Sequence, residues 1–185
     1  ITPTFKAYGV ASLGQYTYKN NPNYYLFSDD LLDDFGGLNN FGKAYIENYR
    51  VAAGPHIGST LGVEYRSPKY WWIGVSGNYL ANNYLDIAAF RRTSQFYGGL
   101  QQKTSNEFMV NANLGYSKRF GKYFAIVSLN VNNVLDNQDY VTGGFEQLRL
   151  GSYTNSLDEN YKTNMGSRLW YGIGRSFFLN LIYRF

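Results

Sequence analysis

The sequence predicts an all-β chain: the C-terminal six strands of a transmembrane antiparallel up-and-down β-barrel, with residues 1–185 forming part of that one domain. Three observations carry this. Apolar and polar residues alternate with period two through long segments, the signature of strands that are apolar on one side. Aromatic residues are abundant, with 19 Tyr, 13 Phe and 3 Trp, while only 16% of residues are charged. The connections between segments are in turn short and long, the asymmetry of a membrane barrel. Mean hydropathy is −0.38, which suits a barrel wall because lipid-facing and lumen-facing residues alternate and dilute the apolar signal. No run approaches the ~18 consecutive apolar residues of a membrane helix, so a helical membrane protein is excluded.

A first strand is expected within Phe5 to Tyr18, although its faces, Ala7/Ala11/Leu13 and Tyr8/Val10/Tyr16, do not separate cleanly. A second runs from Ala53, with Ile57, Leu61, Val63 and Tyr65 facing outward and His56, Gly58, Gly62, Glu64 and Arg66 inward. It turns at Ser67-Pro68-Lys69, where Pro presets φ. The return strand places Trp71, Ile73, Val75 and Tyr79 outward. Phe108, Val110, Ala112, Leu114 and Tyr116 alternate nearly cleanly with Met109, Asn111, Asn113, Gly115 and Ser117. After a turn at Phe120-Gly121-Lys122, Tyr123, Ala125, Val127, Leu129 and Val131 complete a hairpin. The last strand is expected to run unbroken from Trp170 to Phe185, with Tyr171, Ile173, Arg175, Phe177, Leu179, Leu181 and Tyr183 outward. Such a length exceeds the ~5–6 residues usual in soluble proteins.

The long connections, about Lys19 to Arg50, Leu85 to Glu107 and Asp136 to Gly166, are rich in Asn, Asp, Gly, Ser and Tyr. By the barrel rule they are extracellular and the short turns periplasmic, which puts Phe185 at the periplasmic rim of a bacterial outer membrane. Closure of a membrane barrel takes at least about eight strands, so the remaining strands are expected outside this chain. The opening Ile1-Thr2-Pro3-Thr4 has neither Met nor a leader, so any targeting signal is expected to be removed or to lie upstream.

Chemistry-bearing residues are sparse. With no Cys, disulfides and thiolate metal sites are excluded. The net charge of +4 is modest and scattered, which argues against nucleic acid and for outer-membrane lipid and lipopolysaccharide as anionic partners. His56 is the only histidine and reads as a hydrogen-bonded lumen residue, not a metal ligand. Glu64 and Arg66 read as part of a lumen charge network, and Asp29, Asp30, Asp33 and Asp34 as a solvated loop lacking calcium-loop spacing. Arg175, Arg91 and Arg92, in or beside the long loops with Arg149 and Arg168, are candidates for lipopolysaccharide phosphates, since guanidinium suits phosphate. Solubilising the loops is their other reading. Tyr84, Phe90, Phe96, Tyr97, Phe145 and Tyr153 are candidate ligand-stacking residues, as are Tyr24, Tyr25 and Phe27; girdle or packing roles are the alternative. No nucleophile and base, phosphate loop or paired carboxylates stand out, so no catalytic residue, cofactor or enzyme activity is expected.

The segment Asn130-Val131-Asn132-Asn133-Val134-Leu135-Asp136-Asn137-Gln138-Asp139-Tyr140 resembles the penultimate strand of TonB-dependent outer-membrane receptors. Ala44-Tyr45-Ile46-Glu47-Asn48-Tyr49-Arg50-Val51 and Gly62-Val63-Glu64-Tyr65-Arg66-Ser67-Pro68-Lys69-Tyr70-Trp71-Trp72 are similar to the corresponding region of carboxypeptidase-regulatory-type and SusC-like members. Tyr183-Arg184-Phe185 looks like their aromatic-ended assembly signal, with Asn180 where Gly is commoner. The resemblance implies a 22-stranded barrel around a plug, coupled to TonB by an N-terminal segment absent here, and in some members covered by a surface lipoprotein lid. It implies uptake of a nutrient: an oligosaccharide, a peptide or a metal chelate. An adhesin, or a barrel serving as a structural component of a surface complex, is the alternative. A soluble β-sandwich or lipocalin-like binder and an outer-membrane enzyme also share parts of the pattern.

Overall fold

The alternating segments form strands that pair in the order of the sequence. The computed structural model describes residues 4–27, 38–93, 100–147 and 166–185. Their strands are β1 (Phe5–Leu13), β2 (Asn23–Phe27), β3 (Leu38–Lys43), β4 (Ile57–Arg66), β5 (Trp71–Ala81), β6 (Glu107–Phe120), β7 (Tyr123–Asn132), β8 (Val141–Phe145), β9 (Arg168–Tyr171) and β10 (Ser176–Arg184). A 3-10 turn at Ala89–Arg92 is the only helical element among the described residues. The chain is all-β. No described helix is long and apolar enough to cross a membrane.

Six strands build one antiparallel meander in the order β1-β4-β5-β6-β7-β10. It is an open sheet with β1 and β10 as its edges; the six strands do not close on themselves. Register places Ala7, Val63, Val75, Ala112, Val131 and Phe177 in one row across all six strands. The opposite face has the row Lys6, Glu64, Gly74, Asn113, Asn130 and Phe178. Pairing therefore resolves β1, whose own sequence is ambiguous: Ala7, Ala11 and Leu13 continue the apolar face. Tyr8 instead lies over Gly62 on the polar face, where a Cβ would collide with its ring. Trp72 covers Gly115 in the same way, so these glycines leave room for a ring from the adjacent strand.

The short turns need special backbone. Gly121 has φ +62 at the first central position of the two-residue β6–β7 turn, a geometry that favours Gly. Between β4 and β5, Tyr70 takes φ 66 while its N–H donates to the Ser67 carbonyl over 3.0 Å.

Four expectations are corrected. The first strand ends at Leu13, not near Tyr18, and the second begins at Ile57, so His56 lies outside the strand. The long connections carry hairpins of their own, β2–β3 and β8–β9. The final strand is also split: Arg168–Tyr171 pairs with β8 and only Ser176–Arg184 pairs with β7. The break is held from the other side of the third connection. Tyr140 packs over Gly172, the Gly172 N–H donates to the Tyr140 carbonyl over 3.0 Å, and the Arg175 N–H donates to Asp136 Oδ1 over 2.8 Å.

Asn133 anchors this turn. It is buried, has φ 52, donates from Nδ2 to the Asn137 carbonyl (2.7 Å) and accepts the Asn137 N–H at Oδ1 (3.0 Å). The N–H of Arg175, then the amide of Gln138, hold the Asp136 carboxyl below its ordinary range. Asn133→Ala is expected to lose about 2 kcal/mol through unpaired buried groups and a left-handed backbone without Asn. Chemical unfolding of the folded protein checks it; a change within about 0.5 kcal/mol, the range of ordinary surface substitutions, counts against the anchoring role.

Among the described residues the buried apolar side chains are few: Ala44, Ile46, Ala81, Leu85 and Ala88. All lie in the long connections or at the adjoining end of β5. The sheet itself has no layer packed on it among the described residues: Leu61, Phe177 and Leu181 of its apolar face are 72%, 66% and 68% exposed.

Candidate functional site

The described parts of the three long connections fold together into a cap at one end of the sheet. Ala44 bridges to Thr93 and Asp86 to Phe145, which ties the first connection to the second and the second to the third, while Tyr84 bridges to Lys103 across the base of the second. The Gln101 side chain joins two of them, donating from Nε2 to the Arg50 carbonyl (2.7 Å) and the Leu85 carbonyl (3.0 Å). Arg92 and Glu146, 54 positions apart, form a two-pronged ion pair of 2.8 and 2.6 Å. Their side chains are only 3% and 6% exposed. Glu146 also accepts the Ala88 N–H (3.2 Å), and the Arg92 guanidinium sits 5.3 Å from the Tyr49 ring centre.

Beside this latch lies a cleft of about 390 Å³ whose walls include Tyr84, Asp86, Thr142, Phe145 and Trp170. A wider hollow of about 600 Å³ shares Asp86 and Phe145 and adds Gln147 and Arg168. A third, of about 460 Å³, shares Thr142 and leads under the β8–β9 hairpin to Met109, Asn111 and Asn132 on the polar face. Phe145 and Trp170 are exposed with ring centres 5.9 Å apart. Flat apolar rings beside a carboxylate, an arginine and a hydroxyl are equipped to hold a solute that has both apolar faces and polar groups. Tyr18, in the same cap, has its phenol raised above the ordinary range by burial and then by the Asp86 carboxylate.

The expected ligand residues are thus divided. Tyr84 and Phe145 meet in the cleft. Phe90 is half-buried and packs with Tyr24 and Phe41 at 5.6 and 5.0 Å, which makes it a packing residue of the cap. Phe96, Tyr97 and Tyr153 lie outside the described residues, as do Asp29, Asp30, Asp33, Asp34 and Arg149. Sequence alone does not single out Trp170 or Asp86, the first because its alternation assigns it to the final strand and the second because an isolated Asp carries no signal.

The three arginines that are candidates for lipopolysaccharide also differ. Arg175 is exposed in the break just before β10. Arg91 is half-buried, with Nη1 3.5 Å from the Gln147 carbonyl. Arg92 is committed to Glu146 inside the cap, where burial keeps a lipid phosphate from its guanidinium. His56 is buried beneath the cap, with Nε2 3.1 Å from the Val51 carbonyl and its ring against Tyr16 and Tyr84. Glu64 and Arg66 pair with each other at 2.5 Å. No three His, Asp or Glu side chains gather as metal ligands among the described residues.

No family model, curated protein or solved structure matches the chain.

Proposed function

We propose that this chain is the C-terminal part of a bacterial outer-membrane β-barrel belonging to a TonB-dependent, SusC-like transporter, whose capped cleft engages a nutrient. The observation that carries the membrane reading is the uncovered apolar face. An exposed Leu or Phe forgoes roughly 1.5–3 kcal/mol of burial, and a continuous face of them across six strands needs a non-aqueous cover. A lipid bilayer supplies it. Five of the six meander strands, of 9 to 11 residues, match the ~9–11 residues that cross a bilayer when tilted, and β6, with 14, is long enough to do so. The opposite face carries mostly Asn, Ser, Thr, Gly and charged residues, with a minority of large side chains such as Tyr8, Trp72 and Phe178, a mixture suited to a wet lumen; Thr60 donates to Asn78 there over 2.8 Å. The folded cap then covers the extracellular mouth, and the resemblance to receptor segments favours energised uptake.

These 185 residues contain no Cys, so a single cysteine reports its position once any cysteine elsewhere in the full-length protein is replaced. In full-length protein on intact cells, Leu129→Cys is expected to resist a membrane-impermeant maleimide while Gln138→Cys reacts. Rapid labelling of Leu129→Cys, or extraction of the protein without detergent, overturns the membrane reading. Uptake that stops when the proton-motive force is collapsed supports transport; solute-independent adhesion alone overturns it.

A further inference from the structure

At the short-turn end of the sheet, Lys118, Arg119, Lys122 and Arg184 line one cleft of about 730 Å³, and no acidic residue lines it. Register sets Arg119 and Arg184 on either side of Phe124, one strand away each, hence about 10 Å apart at the backbone. Both belong to the polar face. Lys118 has the opposite parity, with its ammonium 5.0 Å from the Phe120 ring centre; that of Lys122, in the turn, lies 5.4 Å from the Tyr123 ring. The cleft therefore lies where the two faces meet, at the strand ends. The ion pairs among the described residues are Arg66–Glu64 and Arg92–Glu146, so none of these four cations has a carboxylate partner there. Arg119 donates from Nε to the Gly121 carbonyl over 3.0 Å, which fixes its base and leaves its outer nitrogens for a ligand.

Four gathered cations repel one another unless an anion joins them. The surroundings say which kind. On the apolar face beside the cleft, Tyr123 stacks on Tyr183 at 5.9 Å and Tyr183 on Phe185 at 6.4 Å, and Tyr116 lines the cleft itself. A ligand fitting both features has an anionic head and an apolar tail.

We propose that this cleft is a binding site for the phosphodiester headgroup of an anionic phospholipid in the leaflet at the short turns. Arginine and lysine suit phosphate, their long stems reach it from either face, and the aromatic row holds the upper acyl chains. The proposal rests on the apolar face being covered by lipid.

The test uses the full-length protein in micelles, titrated with phosphatidylglycerol or phosphatidylcholine, with bound lipid counted by native mass spectrometry. The wild type is expected to prefer phosphatidylglycerol. Arg119→Gln with Arg184→Gln is expected to lower that preference about 25-fold, near fivefold per cation, while Arg119→Lys with Arg184→Lys keeps most of it. Arg66→Gln, whose guanidinium is paired at the same end, is expected to leave it unchanged. Equal retention of the two lipids overturns the site, as does displacement of lipid by millimolar inorganic phosphate or by a polyglutamate peptide. Protein that inserts in phosphatidylcholine bilayers yet shows no preference sinks only this proposal; protein that never needs detergent sinks the membrane reading beneath it.

Discussion

Glu146→Gln is expected to open the cap by about 3–5 kcal/mol while leaving the six-stranded sheet in place, because it strands the Arg92 charge in a buried site. Arg92 is 4% exposed and gives Nη1 and Nη2 to the two carboxylate oxygens; its Nε already lacks a partner. An amide in place of the carboxylate turns one acceptor into a donor and removes the compensating charge. The lost bonds join the second and third long connections, so the damage falls on the walls of the cleft. Hydrogen exchange measures it directly: the amides of Asp86 and Glu146, bonded to the Gly144 and Asp86 carbonyls at 3.0 and 2.9 Å, should lose protection. Leu129 in the sheet should not. Arg92→Met with Glu146→Leu removes both charges together and is expected to restore much of the protection. Cap amides that exchange at the wild-type rate in Glu146→Gln would refute the latch.

The second large effect separates the faces of the sheet. Leu129 pairs with Leu114 and Leu179 on the apolar face, and Asn130 next to it pairs with Asn113 and Phe178 on the polar one. If lipid covers the apolar face, Leu129→Arg is expected to cost about 2–4 kcal/mol, the penalty for a guanidinium near mid-bilayer. Asn130→Arg faces water and is expected to cost less than about 1 kcal/mol. The difference appears as the shift in denaturant midpoint when full-length protein refolds into vesicles. Equal penalties would show that both faces meet the same medium, and the barrel reading would fail.

The features legible in the sequence are those that act locally. Alternation from Phe108 to Tyr116 and from Tyr123 to Val131 locates β6 and β7, because side-chain parity is a property of the strand itself. Gly121 marks their turn, since its backbone demand is met within two residues. The same rule misleads at the C-terminus. Parity continues smoothly through Tyr171, Ile173 and Arg175, yet Tyr140 and Asp136 pull that segment away from β7. Nothing in the alternation reports a contact made from thirty or more positions upstream. Asn133 is visible in the sequence only as part of a resembling segment, and its role as the hub of the turn needs the hydrogen bonds.

By itself the sequence determined an all-β chain of long two-faced strands with short and long connections in turn, because a two-residue period and turn chemistry are written in neighbouring residues. Only the tertiary structure decided that the strands form an open six-stranded meander, that β1 turns Ala7 and not Tyr8 to the apolar face, and that the long connections fold into a cap. It alone brought Tyr84, Asp86, Phe145 and Trp170 into one cleft, buried Arg92 against Glu146, and gathered Lys118, Arg119, Lys122 and Arg184 at the opposite end. The physical reason is common to all of these. Burial, charge pairing and cross-strand register depend on residues dozens of positions apart, and their energies exist only once the chain has brought those residues together.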